Sequence, residues 1–453
     1  MKPIEQETIC ALSTPSGVGA IAAIRVSGTN SIVFCEKVVK TTPPLSKVPP
    51  RKLVLGKIYT QDQNLLDEVM VAKFHQPNSY TGENMVEIFC HGGSFITSQI
   101  MEIFLAEFRL AQRGEFTKRA FLNGKIDLTK AEAIVDLIDS KNRHSHSSAA
   151  RQYLGKLFGR VQKLLQQMTD IRVELELEID FLEQNLEEID IPNLKKRLTH
   201  LQKKLLLLAR SAEDGMVIHD GLIVALVGAP NVGKSTIFNA FLQKERAIVT
   251  PYPGTTRDYL QETLVLDGFL VKLVDTAGLR TTKSVVEKIG IDKTLDQIKE
   301  AHIVFCISDI DTIQSGKKKF SLLAKNQQVV EILNKSDLLD DKTISTYRRK
   351  GYTICSAKTK DGLENLREII VSFCKKSISE IDSGILTNTR QKALVKKSCD
   401  FVQKAISSLD KKMGYEFTAF DLAQASDALE QIVGKVENQA MLDRIFNNFC
   451  IGK

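Results

Sequence analysis

Eight residues, Gly228-Ala229-Pro230-Asn231-Val232-Gly233-Lys234-Ser235, limit most sharply what this 453-residue chain can fold into. They follow an apolar run, Leu222 to Val227, and open a helix-like segment, Ser235 to Leu242. The pattern G-x-x-x-x-G-K-[ST] between a strand and a helix is that of a phosphate loop. Glycines let the backbone turn its N–H groups toward an anion, and the helix behind adds its positive end. Lys234 is placed to reach β- and γ-phosphates and the Ser235 hydroxyl to ligate Mg²⁺. Val232, Gly233 and Thr236 complete the cradle.

A strand–loop–helix start predicts a doubly wound α/β domain, and residues 218 to about 378 alternate accordingly. The strand candidates are Leu222–Val227, Glu262–Leu266, Leu270–Val274, Ile303–Ser308, Val329–Leu333 and Tyr352–Cys355. Ligands in such folds bind beyond the carboxyl ends of the strands. Further short motifs stand at those places. Thr250-Pro251-Tyr252-Pro253-Gly254-Thr255-Thr256-Arg257 reads as a loop, with Thr256 as a second Mg²⁺ hydroxyl. Asp275-Thr276-Ala277-Gly278 follows a strand, with Asp275 holding Mg²⁺ through water and the Gly278 N–H meeting a γ-phosphate. In Asn334-Lys335-Ser336-Asp337, the Asp337 carboxylate can accept two hydrogen bonds from the N1–H and N2–H₂ edge of guanine, which adenine does not offer. A backbone N–H of Ser356-Ala357-Lys358 suits guanine O6. Order and spacing together specify GTP.

Signalling GTPases orient the attacking water with a glutamine after this third motif and meet the developing charge with an arginine. Here the glutamine position is Leu279, which cannot hydrogen-bond water. Glu287 is a candidate substitute, a solvated carboxylate being the plainer reading. Arg257 and Arg280 are nearby cations, and a bound monovalent cation would serve the same purpose.

The rest of the chain reads as two other kinds of structure. Residues 1–120 are mixed, with strand candidates Ala20–Val26 and Met85–Cys90, a proline-rich loop from Thr41 to Pro50, and a helix from Ser94 to Leu110. Arg25 lies inside an apolar strand, where a salt bridge or a ligand anion would account for it. Apolar residues at three- and four-residue spacing make 121–216 helical, with Pro192 dividing the run. Helical patterns return over 380–453, at Gln391–Leu409, Thr418–Ile432 and Asn438–Phe449. A helical region interrupted by an α/β stretch predicts that a GTPase domain, 217–379, is inserted into a helical bundle. The expected fold class is therefore multidomain α/β plus α.

Charge and cysteine usage bound the setting. Lys and Arg number 62 against 55 Asp and Glu, a net +7 that permits nucleic-acid binding without requiring it. The eight cysteines are scattered with no zinc spacing, and those in apolar runs, such as Cys306 and Cys355, read as core residues. A reducing cytoplasm is expected. No signal peptide and no membrane span are expected, since no stretch approaches about 20 apolar residues. His91, beside two glycines, reads as a satisfied histidine in a turn or as a catalytic group.

The whole chain resembles the MnmE (TrmE) family of tRNA-modification GTPases. The residues that carry the likeness are the four GTPase motifs and Ile24-Arg25-Val26-Ser27-Gly28. Asn78-Ser79-Tyr80-Thr81-Gly82-Glu83, His91-Gly92-Gly93, Arg113-Gly114-Glu115-Phe116-Thr117-Lys118-Arg119 and Cys450-Ile451-Gly452-Lys453 add to it. The resemblance implies K⁺ as the missing charge, with Asn231, Thr250, Tyr252 and Thr255 as ligands, and Glu287 as the water-positioning residue. It implies an N-terminal folate-binding and dimerisation domain whose 5-formyltetrahydrofolate site maps onto Arg25, Glu87, Lys125 and Lys453. It also implies a homodimer that works with a FAD-carrying protein of the MnmG type, in a heterotetramer, on the wobble uridine of certain tRNAs. An aminomethyl or carboxymethylaminomethyl group is added there. Cys450 becomes either a thiol near the folate or a buried structural cysteine. A ribosome-assembly GTPase is the alternative, but no GxxG loop of a KH domain is seen.

Overall fold

The computed structural model describes residues 7–60, 62–180, 190–244, 261–275, 299–313, 327–378, 385–435 and 439–453. The chain separates into two compact units, one of residues 1–135, 153–165 and 426–453, the other of 136–152 and 166–425.

The first unit is built on a seven-stranded sheet. Its strands are β1 (Ile9–Leu12), β2 (Gly19–Ser27), β3 (Val39–Thr41), β4 (Val54–Tyr59), β5 (Leu65–Phe74), β6 (Met85–Gly92) and β7 (Arg109–Leu110), in the order β3-β4-β5-β6-β2-β1-β7. Helices α1 (Ser31–Val38) and α2 (Ser94–Leu105) cover one face, where Ile24, Val26, Val69, Val71, Val86 and Ile88 alternate inward as a half-buried sheet requires. The opposite face carries Arg25 and Glu87, paired across β2 and β6. Helix α2 stops at Leu105, five residues before the expected Leu110, because Arg109 and Leu110 pair in parallel with Ile9 and Cys10. Helix α3 (Glu115–Leu122) and α4 (Leu128–Asp139) follow, and Leu128 and Ala131 pack with Leu442, Phe446 and Phe449 from the far end of the chain.

The second unit contains α5 (Arg143–Tyr153), most of α6 (Lys156–Asp180) and α7 (Ile191–Asp220). Pro192 divides the helical run by standing at the start of a new helix. It stands in the first turn of α7, where its missing N–H costs nothing, and the Asp190 carboxylate caps that turn by accepting from the Asn193 N–H at 3.0 Å. Leu194, Leu198, Leu201, Leu205, Leu208 and Ala212 form the buried stripe of α7.

A six-stranded sheet then forms from β8 (Leu222–Gly228), β9 (Gln261–Leu266), β10 (Phe269–Asp275), β11 (Ile303–Ser308), β12 (Gln328–Leu333) and β13 (Thr353–Ile354). Its order, β13-β12-β11-β8-β10-β9, is parallel except for β9. Helices α8 (Lys234–Lys244), α9 (Asp341–Arg349) and α10 (Leu363–Ile378) accompany it. These strands match the sequence expectation within two residues at each end. The parallel strands are buried on both faces, which is why β8 and β11 read as unbroken apolar runs.

After the sheet, α11 (Thr389–Asp410) packs antiparallel on α7, and α12 (Tyr415–Val433) and α13 (Gln439–Phe446) end the chain. Where the chain enters and leaves the sheet, Gly215 lies against Leu386: a Cβ on Gly215 would stand 1.9 Å from the Leu386 carbonyl oxygen. A polar clasp closes beside this crossing. His219 Nε2 meets Asp136 Oδ1 at 3.1 Å and its Nδ1 meets Asp220 Oδ1 at 2.8 Å. The Thr387 hydroxyl lies 3.3 Å from the other Asp136 oxygen. Among the described residues, no helix is long and apolar enough to cross a membrane.

Candidate functional site

The strongest candidate site lies where β8, β10, β11 and β12 end. Between β8 and α8 the chain turns sharply, with Asn231 at φ 65° and Gly233 at φ 97°. Gly233 has no alternative, since a Cβ there would fall 2.1 Å from Asn334 Nδ2. The turn aims the start of α8 into the concavity. Lys234 is buried and its ammonium donates to the Gly228 and Ala229 carbonyls at 3.0 and 2.8 Å, so it folds back over the loop. Burial lowers its pKa, against an opposing pull from the Asp275 carboxylate. The Ser235 hydroxyl donates to Asp275 Oδ2 at 3.0 Å. Val232 is buried beneath the loop, and Asn231 and Thr236 are exposed.

A second cluster forms at the ends of β12 and β13. The buried Asn334 side chain donates to the Val232 carbonyl at 2.8 Å and accepts from the Ala357 N–H at 3.0 Å, so it ties this cluster to the phosphate loop. The Ala357 N–H is therefore committed within the protein. Ser336 N–H bonds the Cys355 carbonyl, and the Ser356 hydroxyl donates to Asp337 Oδ1 at 2.6 Å, fixing an otherwise exposed carboxylate. Lys358 is exposed beside them. Lys335, in the left-handed region at φ 64°, bonds Asp309 Oδ2 at 2.6 Å. Burial opposes ionisation of Asp309, yet Lys335 and Thr312 together hold its pKa below the usual carboxylate value. Sequence reasoning passed over Asp309. Its position just after a buried strand, where the other site residues stand, was the available signal.

Thr250, Pro251, Tyr252, Pro253, Gly254, Thr255, Thr256, Arg257, Thr276, Ala277, Gly278, Leu279, Arg280 and Glu287 lie outside the described residues.

The first unit holds a separate cluster. Arg25 meets Glu87 Oε1 through Nε at 3.0 Å and through its terminal nitrogen at 2.8 Å. Its guanidinium also donates to the Gly452 carbonyl at 3.4 Å and lies over the rings of Tyr80 and Phe116 at 5.2 and 5.5 Å. The charge inside an apolar strand thus has a salt-bridge partner. The last four residues are anchored here: Ile451 bridges to Arg113, and the Lys453 carbonyl accepts from the Phe116 N–H at 3.1 Å. Lys125 is exposed and flanks Gly82, with no hydrogen bond or ion pair to Arg25 or Glu87 among the described residues. The structure therefore brings Arg25, Glu87 and the chain end at Gly452 together, and the Lys125 side chain lies beside Gly82.

Two expectations change here. Cys450 is exposed, so the buried structural role does not apply, whereas the other seven cysteines are buried. His91 is on strand β6 rather than in a turn. Its Nδ1 and N–H both engage the buried Asp67 carboxylate, at 2.6 and 2.9 Å. The sequence also did not reveal an ionic ladder from Arg109 to Glu115, Arg119 and Glu83. Burial would raise Glu115, but the Arg109 guanidinium and the Gln112 N–H bring its pKa below normal.

Comparison with known proteins bears on both units. The family of the MnmE helical domain matches residues 128–450, and that of the GTP-binding protein TrmE N-terminus matches residues 8–125. The chain is 39% identical over 470 residues to the tRNA modification GTPase MnmE of Flavobacterium johnsoniae, covering 99% of this chain and 100% of that protein. It is 37% identical over 457 residues to the protein of the same description from Clostridioides difficile, covering 99% of each. Against that of Thermotoga maritima the figure is 37% over 455 residues, covering 99% of this chain and 100% of the relative.

Proposed function

The chain belongs to the MnmE family of tRNA-modification GTPases, and from that premise we propose that it is a K⁺-stimulated GTP hydrolase. Working with a FAD-carrying partner of the MnmG type, it modifies carbon 5 of the wobble uridine of certain tRNAs with a one-carbon unit from a tetrahydrofolate. The observation that best supports the GTPase reading is the link between phosphate loop and base end through Asn334, which joins Val232 to Ala357. One side chain sets the spacing between the groups proposed for phosphate and those proposed for guanine.

Each residue then has a task. Residues 231–236 hold the phosphates. Lys234 exchanges two loop carbonyls for phosphate oxygens, a short movement for an ammonium already at the cradle. Asp337, braced by Ser356, accepts from the guanine edge. The hard oxygen pair of Ser235 and Asp275 suits Mg²⁺, which would supply charge neutralisation at the phosphates. Asn231 offers an exposed amide oxygen of the kind an alkali cation takes. Glu287 orients water, with Arg280 and Thr250 to Gly278 completing the site. The GTPase domain spans 217–379, set between helical segments 121–216 and 380–453, and residues 1–120 form the folate-binding and dimerisation domain. There Glu87 presents a carboxylate suited to the N–H edge of a folate's pterin, while Arg25, Lys125 and Lys453 suit the carboxylates of the folate's glutamate tail. Cys450, three residues before Lys453, is exposed.

Two measurements test the proposal. GTP hydrolysis should run much faster in K⁺ than in Na⁺ at equal ionic strength; equal rates would remove the cation from the mechanism. Mass spectrometry of wobble uridines from a strain lacking the gene should show the modification gone and restored by a plasmid copy. Unchanged tRNA would sink the pathway assignment.

A further inference from the structure

The positive charge of this chain is concentrated in one place. Residues 191–212 and 389–412 hold thirteen Lys and Arg against two Asp, an excess of eleven in 46 residues, while the whole chain carries +7. The other 407 residues are thus net −4. Including the segment 181–189, with its three glutamates, still leaves +8.

These two stretches are the body of α7 and all of α11, and their packing orders the charge. Lys195 pairs with Asp410 and Gln202 with Gln403, each at 2.5 Å, so the helices run antiparallel in fixed register. Helical rotation of about 100° per residue puts Lys196, Lys203 and Arg210 on the side of α7 opposite its buried leucine stripe. Lys397, Lys404 and Lys411 occupy the matching outward side of α11 and its end. All six are exposed. Both sets repeat at seven residues, and the register brings them to within two residues of the same level as three rungs: Lys196 near Lys411, Lys203 near Lys404, and Arg210 near Lys397. Rungs are about 10.5 Å apart along the helices, and packed helix axes lie about 8–10 Å apart. Asp400 is the one acidic residue exposed among the α11 cations between Lys396 and Lys404.

A solvated helix face usually mixes charges of both signs, because i, i+4 pairs of opposite sign support it. Two parallel rows of cations do the reverse: they repel each other unless a polyanion lies on them. Structured RNA presents rows of phosphates and is bound mainly through its backbone and shape. We propose that the outward face of α7 and α11 is the surface on which the tRNA backbone rests. The assignment builds on the tRNA-modification reading and adds the place of contact.

The test compares full-length proteins that lose the same charge at different faces. In one, Lys203, Arg210, Lys397 and Lys404 are replaced by Gln. In the control, Lys342, Arg348, Arg349 and Lys350 on and just after α9 are replaced by Gln. Fluorescence anisotropy with labelled tRNA is read over a salt series, with GTP hydrolysis measured in parallel. Each phosphate contact contributes about −0.7 to −0.9 to the slope of log affinity against log salt. The ladder variant should lose at least about tenfold in tRNA affinity, and its slope should flatten by about 3, while GTP hydrolysis stays unchanged. The control should bind as the unaltered protein does. Equal weakening of both variants would overturn the proposal, since only overall charge would then matter. Unchanged binding by the ladder variant would also overturn it, as would loss of wobble modification with tRNA affinity intact, which would point to a protein partner. If the unaltered protein itself binds no tRNA, the underlying tRNA reading fails instead.

Discussion

The Ser235 hydroxyl donates to Asp275 Oδ2 across 3.0 Å, joining the first turn of α8 to the last residue of β10. Two oxygens so placed can share one hard cation, one directly and one through its water. Replacing Asp275 by Asn keeps the shape and removes the charge. The Mg²⁺ concentration needed for half-maximal hydrolysis should rise about 10–100-fold, the usual cost of losing a group that orients a metal's ligands. A magnesium titration of the initial rate checks this, and an unchanged midpoint would remove Asp275 from the site.

Asn334 makes two bonds that no smaller side chain can replace. Asn334→Ala leaves the Val232 carbonyl and the Ala357 N–H short of a partner, at about 1–3 kcal/mol each where they remain dry. Urea unfolding should register that loss, and nucleotide affinity should fall with it. Asp337→Asn is the contrasting change. An amide offers a donor where xanthine has an oxygen in place of the guanine amino group, so preference should pass from GTP to XTP with little loss of stability. Competition binding with the two nucleotides reads the outcome.

His219 predicts an alkaline weakness. Hydrogen bonds to Asp136 first and Asp220 second raise its pKa from 6.5 to about 10, against burial. A group raised on folding contributes its full stabilisation below the unfolded value and loses it as pH climbs through the folded one. The window is therefore pH 6.5 to about 10. Melting temperature should decline across it, and His219→Gln should start lower and decline less. Parallel pH curves for the two proteins would contradict the clasp.

Thiol chemistry should single out Cys450. It is exposed, whereas burial pushes Cys10 and Cys90 up to about 11 and Cys306, Cys355 and Cys374 up to about 12. Cys35 and Cys399 are raised by burial as well. A disulfide reagent at neutral pH should titrate one fast thiol per folded chain and none in Cys450→Ser. If Cys450 serves the tRNA reaction, the same variant should keep GTP hydrolysis and lose wobble modification.

How much of this was legible beforehand depended on range. The phosphate loop could be read because its turn is local: Gly233 has a positive φ there, and the ban on a Cβ by Asn334 comes on top of it from far along the chain. The buried parallel strands were plain as apolar runs for the same reason. The end of α2 was misjudged because pairing of Arg109 with Ile9, a hundred residues away, overrode local helical pattern. Pro192 divides the helical run as its sequence indicates, but the cap at Asp190 that makes it a first-turn residue of α7 is visible only in the structure. The partners of Arg25 and Lys335 were equally hidden, since Glu87 and Asp309 are brought close only by strand register and by convergence of strand ends.

The near-contact of Gly215 with the Leu386 carbonyl says something about how the chain tolerates being cut. The two crossings into the six-stranded sheet run side by side at the open end of the α7–α11 pair. Splicing a tight turn between them would therefore leave an ordinary helical hairpin with its leucine seam and cationic ladder intact. The nucleotide-binding portion is in that sense a detachable passenger. Any torque it generates on hydrolysis can leave through that two-stranded neck, where one missing methyl group sets the clearance, and through the stack of His144 on Phe269.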